Sequence, residues 1–281
     1  MAIAKKKAAA KKKAPGKSVA KAKSNALSTA IDFSADVGAG LQNVDQDSLA
    51  IPFLTVLHFQ SPQVIKGNAD YVEGAESGMF FNSVTKELFD GESGVRFIQC
   101  DYTRRFVQWG SRNSGGGYKG DYSVDEAADM EQAGTVVKHE MKLMYPINDT
   151  GEISDKKSDV LVDTRNHLGL MYSEASEEWQ PCWMPMKSTN IKHSKALVTA
   201  LNNIKRQDAS GKKVTPPTFL TECLLTSAPE SNDEGDWFSI RPALVGDVES
   251  AELYHQGKSF YESMQKGEAK VNYAAEEATQ G

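Results

Sequence analysis

The chain has 281 residues, of which 40% are hydrophobic, 25% charged and 9% aromatic, and a formal net charge of −6. That length buries a sizeable core as one large domain or two small ones, and no apolar run approaches the roughly 20 residues needed to span a bilayer. The charge is uneven: residues 1–31 hold nine Lys and no acidic residue, which leaves −15 for residues 32–281.

The N-terminus is basic without an apolar region behind it, so it does not read as a secretory signal. Cys100, Cys182 and Cys223 are odd in number and far apart in the chain. They point to a reducing compartment and not to a disulfide framework. A protein of the reducing cytoplasm, without membrane contact, is expected.

Residues 1–30 read as a disordered arm. From Ala4 to Ser24 the chain is almost entirely Lys, Ala, Pro, Gly and Ser, with Val19 as the one large apolar side chain. Such a segment buries too little surface to offset its ordering entropy. A folded body is expected over 31–248, with a helix and a weakly acidic flexible tail over 249–281.

Within the body, Phe53–Phe59 reads as a strand or short buried element. Met79–Val84 and Glu87–Phe89 read as a hairpin, and Val95–Tyr102 and Phe106–Trp109 as two strands, from their β-branched and aromatic content between turn-formers. A glycine-rich loop, SRNSGGGYKG, follows over Ser111–Gly120. Ser123 and Glu126 form a capping box for a helix over Val124–Gln132. Further strands are expected at Met141–Ile147, Val160–Asp163, Leu168–Tyr172, Cys182–Met186, Phe219–Thr226 and Trp237–Pro242. The most prominent helix is Asn190–Arg206, capped by Ser188 or Thr189, with Ile191, Leu197, Val198, Leu201 and Ile204 on one face. A last helix is expected over Ala251–Gln265. Many strands and few helices make an α+β, mainly β, class.

Catalytic signatures are scarce. CxxC, HExxH, the G-x-x-x-x-G-K-[ST] phosphate loop and a G-x-S-x-G elbow are absent. Gly115, Gly117 and Gly120 satisfy GxGxxG formally, but a flexible loop explains them. Asp121 or Asp125 with Glu140 and Lys142 resembles a metal-nuclease constellation, yet E-x-K is common and a solvated strand edge explains it. The chain reads as non-enzymatic, with no metal site and no cofactor.

Three features point to nucleic acid. The lysine arm offers counterion-releasing phosphate contacts. The stretch Thr103–Trp109 alternates on a strand, with Arg105, Val107 and Trp109 on one face and Arg104, Phe106 and Gln108 on the other. Either face pairs a cation with a ring, the combination of single-strand binders, and the loop with Tyr118 and Lys119 closes over it. Residues 186–213 hold Lys187, Lys192, Lys195, Lys205, Arg206, Lys212 and Lys213 against Asp208 alone, a positive patch in an acidic body.

Two segments carry a resemblance: Gly40–Leu54, GLQNVDQDSLAIPFL, and Trp183–Lys195, WMPMKSTNIKHSK. They resemble landmarks of tailed-bacteriophage single-stranded-DNA-binding or replication-associated proteins. The resemblance implies an OB-like antiparallel barrel with insertions and a role in phage replication or recombination. It also implies Lys187, Ser188, Thr189, Lys192, Ser194 and Lys195 as phosphate contacts. Single-stranded DNA is the expected partner, with a phage polymerase or helicase recruited by the tail, and self-association left open. The alternative is a virion or nucleoid-associated structural protein that holds duplex DNA through the arm.

Overall fold

The computed structural model describes residues 51–267, apart from 112, 114, 141 and 234, together with 271–273. These residues belong to the unit Asp45–Gly281. The lysine arm, most of the first phage-like landmark and the end of the acidic tail lie outside them.

A small antiparallel sheet opens the described chain: β1 (Leu54–Val56), β2 (Phe80–Asn82) and β3 (Leu88–Phe89). The expected hairpin is present, with Phe80 opposite Phe89. Asn82 Oδ1 accepts the backbone N–H groups of Val84 and Thr85 at 2.9 and 3.1 Å, which closes the turn.

The large sheet is built on two long strands, β4 (Val95–Trp109) and β8 (Val160–Ser173), paired antiparallel along most of their length. Each replaces two expected strands. The breaks were expected at Thr103–Arg105 and Thr164–His167, but Arg104, Arg105, Arg165, Asn166 and His167 are partnered across the sheet, so the ladder runs through them. A bulge between Gln99 and Asp101 is the local irregularity.

Around this pair the order is β13-β12-β4-β8-β7-β6, with β5 added to β4 and β9 to β8. The added strands are β5 (Tyr118–Tyr122), β6 (Val137–His139), β7 (Lys142–Met144), β9 (Glu178–Lys187), β12 (Thr221–Asn232) and β13 (Gly235–Asp247). The near end of β4 pairs with β12 and its far end with β5. The result is a mainly β, antiparallel, curled half-barrel.

Three α-helices accompany it. Helix α1 (Val124–Gln132) starts with the expected capping box: Glu126 N–H donates to Ser123 Oγ and Ser123 N–H to Glu126 Oε2. Helix α2 (Ile191–Asn203) packs Leu197 and Leu201 against Val95, Phe97, Met171 and Met186 on one face of the sheet. Helix α3 (Ala251–Lys266) places Leu253 and Phe260 with Ile98, Leu168, Leu170 and Trp183 in a second core. Its Ser250 cap and left-handed Gly267 stop bracket the predicted span.

Helix α2 is shorter than expected at both ends. Ser188–Asn190 form one 3₁₀ turn, and neither Ser188 nor Thr189 is the cap. Asn190 holds the cap position, but its Oδ1 accepts Ile240 N–H at 2.8 Å instead of capping the helix. Ile204 continues the apolar stripe from extended backbone, and Arg206 belongs to β10 (Arg206–Gln207), paired with β11 (Lys213–Val214). The predicted glycine loop also contracts, because β5 starts at Tyr118 and takes in Gly120. No helix opens at Gly120, so the GxGxxG match lacks the geometry of a dinucleotide site.

Candidate functional site

Three nominated residues from separate segments meet at one end of the long strand pair. Trp109 ends β4, Tyr118 begins β5 opposite it, and Lys187 ends β9 opposite Thr164 of β8. Lys187 Nζ lies 5.3 Å from the Trp109 ring centroid, within cation–π range. Trp109 meets Tyr118 edge-on at 6.3 Å. Tyr118 stacks on Tyr273 at 5.6 Å, and Tyr273 meets the buried Trp183 edge-on at 4.7 Å. A cation therefore begins a continuous aromatic ladder. Burial, reinforced by the hydrogen bond to Asp121, pushes the Tyr118 hydroxyl up to about 12, so its ring is neutral at physiological pH.

Beside the ladder, the Ser188–Asn190 turn forms a ridge between two clefts. One, of about 690 Å³, is lined by His58, Phe59, Lys187, Ser188, Thr189 and Trp237 among others. Phe59 is 55% exposed there, with Phe238 5.6 Å away. Burial lowers the His58 pKa, which favours a neutral imidazole. The other cleft, about 710 Å³, is lined by Gly110, Lys142, Asp163, Ser188, Thr189 and Ile191 among others. Ser188 lines both and has φ of +51°, a left-handed conformation costing a non-glycine residue about 1 kcal/mol. Such strain recurs at functional surfaces.

Five of the other nominated cations, Arg104, Arg105, Lys119, Lys192 and Arg206, lie against carboxylates. Arg104 makes a two-pronged pair with Asp163 at 3.0 and 2.8 Å and also covers the Phe106 ring at 5.1 Å. Phe106 packs against the Ala127, Val136 and Leu161 cluster. Arg105 bonds Asp121 at 2.6 Å, Lys119 bonds Asp159 at 2.9 Å, Lys192 bonds Glu230 at 2.9 Å and Arg206 bonds Asp247 at 2.7 Å. Lys205 donates to Thr215 and to the Asn202 carbonyl, and Lys195 is exposed on α2. Ser194, expected among the phosphate contacts, is fully buried and bonded to His167, so no phosphate reaches it.

Burial raises the Asp163 pKa, but the hydrogen bonds from Arg104 and Arg165 outweigh it and hold the carboxyl below its usual range. Glu230 is held down to about 2, chiefly by Lys192 and then by Arg241, against burial. These are settled ion pairs, and each removes a positive charge from the count the sequence suggests. Among the described residues no group of three or more His, Cys, Asp or Glu is placed to hold a metal. No helix among them is long and apolar enough to cross a membrane.

Phe59, His58, Trp237 and Tyr273 escaped the sequence reading. Phe59 and Trp237 stood in segments read as strands, where exposure is invisible. Tyr273 stood in a polar tail without periodicity.

A family model described as Pam3 phage gp34-like protein matches residues 21–270. No curated protein and no solved structure matches the chain.

Proposed function

The chain belongs to the Pam3 phage gp34-like protein family, and from that premise we propose that it binds single-stranded DNA without strong sequence preference, as a non-enzymatic component of phage replication or recombination. The observation that carries this reading is the Lys187 ammonium above Trp109, at the edge of a cleft that also exposes Phe59. A cation beside rings suits a single strand, because phosphate and unpaired base are both within reach. Stacking contributes about 1–3 kcal/mol per base and tolerates any sequence. The curled antiparallel sheet serves as the OB-like support, and the lysine arm adds salt-sensitive attraction.

A second reading has its own support. Arg104, Arg105, Lys119, Lys192 and Arg206 all face carboxylates, so the arm is the densest positive charge in the sequence. A phosphate-only arm favours duplex, the denser polyanion, as in a virion or nucleoid-associated structural protein.

A salt-titrated fluorescence assay of the full chain against oligo-dT and an equal-length duplex, with and without Mg²⁺, separates the readings. Single-strand preference with tryptophan quenching is expected. Equal or duplex-favoured binding that vanishes on deleting residues 1–24 overturns it in favour of the structural role. Mg²⁺-dependent loss of the DNA itself overturns both in favour of a nuclease.

A further inference from the structure

The aromatic ladder contains one rung supplied by the C-terminal tail. Val271 and Tyr273, beyond the left-handed stop of α3 at Gly267, pack into the second core. Tyr273 is 5% exposed. Its ring lies nearly parallel to Tyr118, at an interplanar angle of 21°, and nearly perpendicular to Trp183, at 87°. Its hydroxyl accepts a hydrogen bond from Asn166 Nδ2 at 2.8 Å. Asn166 is itself fully buried and oriented, because its Oδ1 accepts Trp183 Nε1–H at 2.9 Å. The slot thus asks for a flat ring against Tyr118 with an oxygen acceptor at the edge facing Asn166.

A nucleobase with an in-plane carbonyl meets the same two requirements. The slot is also continuous with the Lys187–Trp109–Tyr118 surface, where a strand carrying that base would already lie. Beyond Gly267 the sequence holds Glu268, Glu276 and Glu277 against Lys270, so the tail and DNA are like-charged competitors for one surface.

We infer that the pocket formed by Tyr118, Trp183 and Asn166 is a nucleobase slot, and that Tyr273 fills it as a displaceable stand-in for a base. The inference rests on the single-strand reading above and adds its regulation: the tail holds the slot closed until a strand expels it.

The test uses the full chain and labelled oligo-dT at fixed salt, comparing wild type with Tyr273→Ala and Tyr273→Phe. Tyr273→Ala vacates the slot and tightens binding by roughly fivefold or more, the lower end of what stacking one base contributes. Tyr273→Phe keeps the stack but loses the acceptor for Asn166, and falls between. Unchanged or weaker binding by a folded Tyr273→Ala protein overturns the inference and makes Tyr273 a core residue. Should that variant fail to fold, hydrogen exchange of residues 271–273 in wild type decides: faster exchange with saturating oligo-dT supports displacement, and unchanged or slower exchange overturns it. Single-strand binding that is the same in wild type and Tyr273→Ala sinks this inference alone. Absence of single-strand binding by both proteins sinks the parent reading as well.

Discussion

His167 Nε2 lies 2.8 Å from Ser194 Oγ, joining strand β8 to helix α2 wholly inside the core. The other ring nitrogen, Nδ1, lies 2.6 Å from Gln99 Oε1 on β4. An amide oxygen only accepts, so Nδ1 carries the proton and Nε2 accepts from the serine. One neutral imidazole thereby ties three elements together, and it explains why a helix with a modest apolar stripe is fixed in register on the sheet.

Burial, reinforced by the charge of Arg165, pushes the His167 pKa down to about 3. In the unfolded chain it returns to about 6.5. The fold therefore refuses a proton that the unfolded state accepts, and stability is lost as pH falls below about 6.5. Between pH 7 and 5, largely above the carboxylate range, the loss due to this residue is about 2 kcal/mol. Urea unfolding at the two pH values measures it. His167→Gln, less stable at pH 7, shows a flatter dependence over the same window.

Asp163 receives hydrogen bonds from both Arg104 and Arg165. Asp163→Asn leaves the buried Arg165 and the partly exposed Arg104 without their shared anion and destabilises the protein by about 1–2 kcal/mol, since the exposure of Arg104 and Asp163 tempers the cost of a broken pair. Arg104→Gln costs less, because Arg165 still balances Asp163. Thermal unfolding of the two variants ranks them, and equal losses argue against a shared anion.

Gly169 sits in β8 opposite the β4 bulge. A Cβ there would run into the Ile98 carbonyl oxygen and approach the Phe97 ring to 2.7 Å. Neither neighbour is a flexible side-chain end, so Gly169→Ala forces the two central strands apart. The expected loss is about 3 kcal/mol or more, at the upper end of overpacking. A normal melting temperature in this variant would show that the bulge is softer than its geometry implies.

For DNA binding, every phosphate deprived of its lysine reduces the slope of log K against log salt by about 0.7 on single strands. Lys187→Gln lowers the oligo-dT slope by about that amount, while deletion of residues 1–24, which holds all nine arm lysines, lowers it by about 6 at most. An unchanged slope in either protein removes that element from the phosphate path.

The elements legible in the sequence were those specified at short range. The α1 capping box, the α2 stripe, the α3 span and the Phe80–Phe89 hairpin each depend on residues close together in the chain. The mainly β class followed from composition and alternation in the same way. Charge was misleading for the complementary reason: Arg104 and Arg105 looked available for phosphate because their carboxylates, Asp163 and Asp121, enter from strands 59 and 16 residues away.

Of the candidate site, Trp109 and Tyr118 were nominated from ring chemistry, and Lys187 from the positive patch and the phage resemblance. The sequence by itself determined the residue types available for binding, the local helices and the polarity of the arm. Only the tertiary structure decided which cations are cancelled by carboxylates, that Ser194 is a core hydroxyl, and that Tyr273 completes the ladder. Cancellation, burial and stacking are all properties of separation in space, and strand pairing across tens of residues sets those separations.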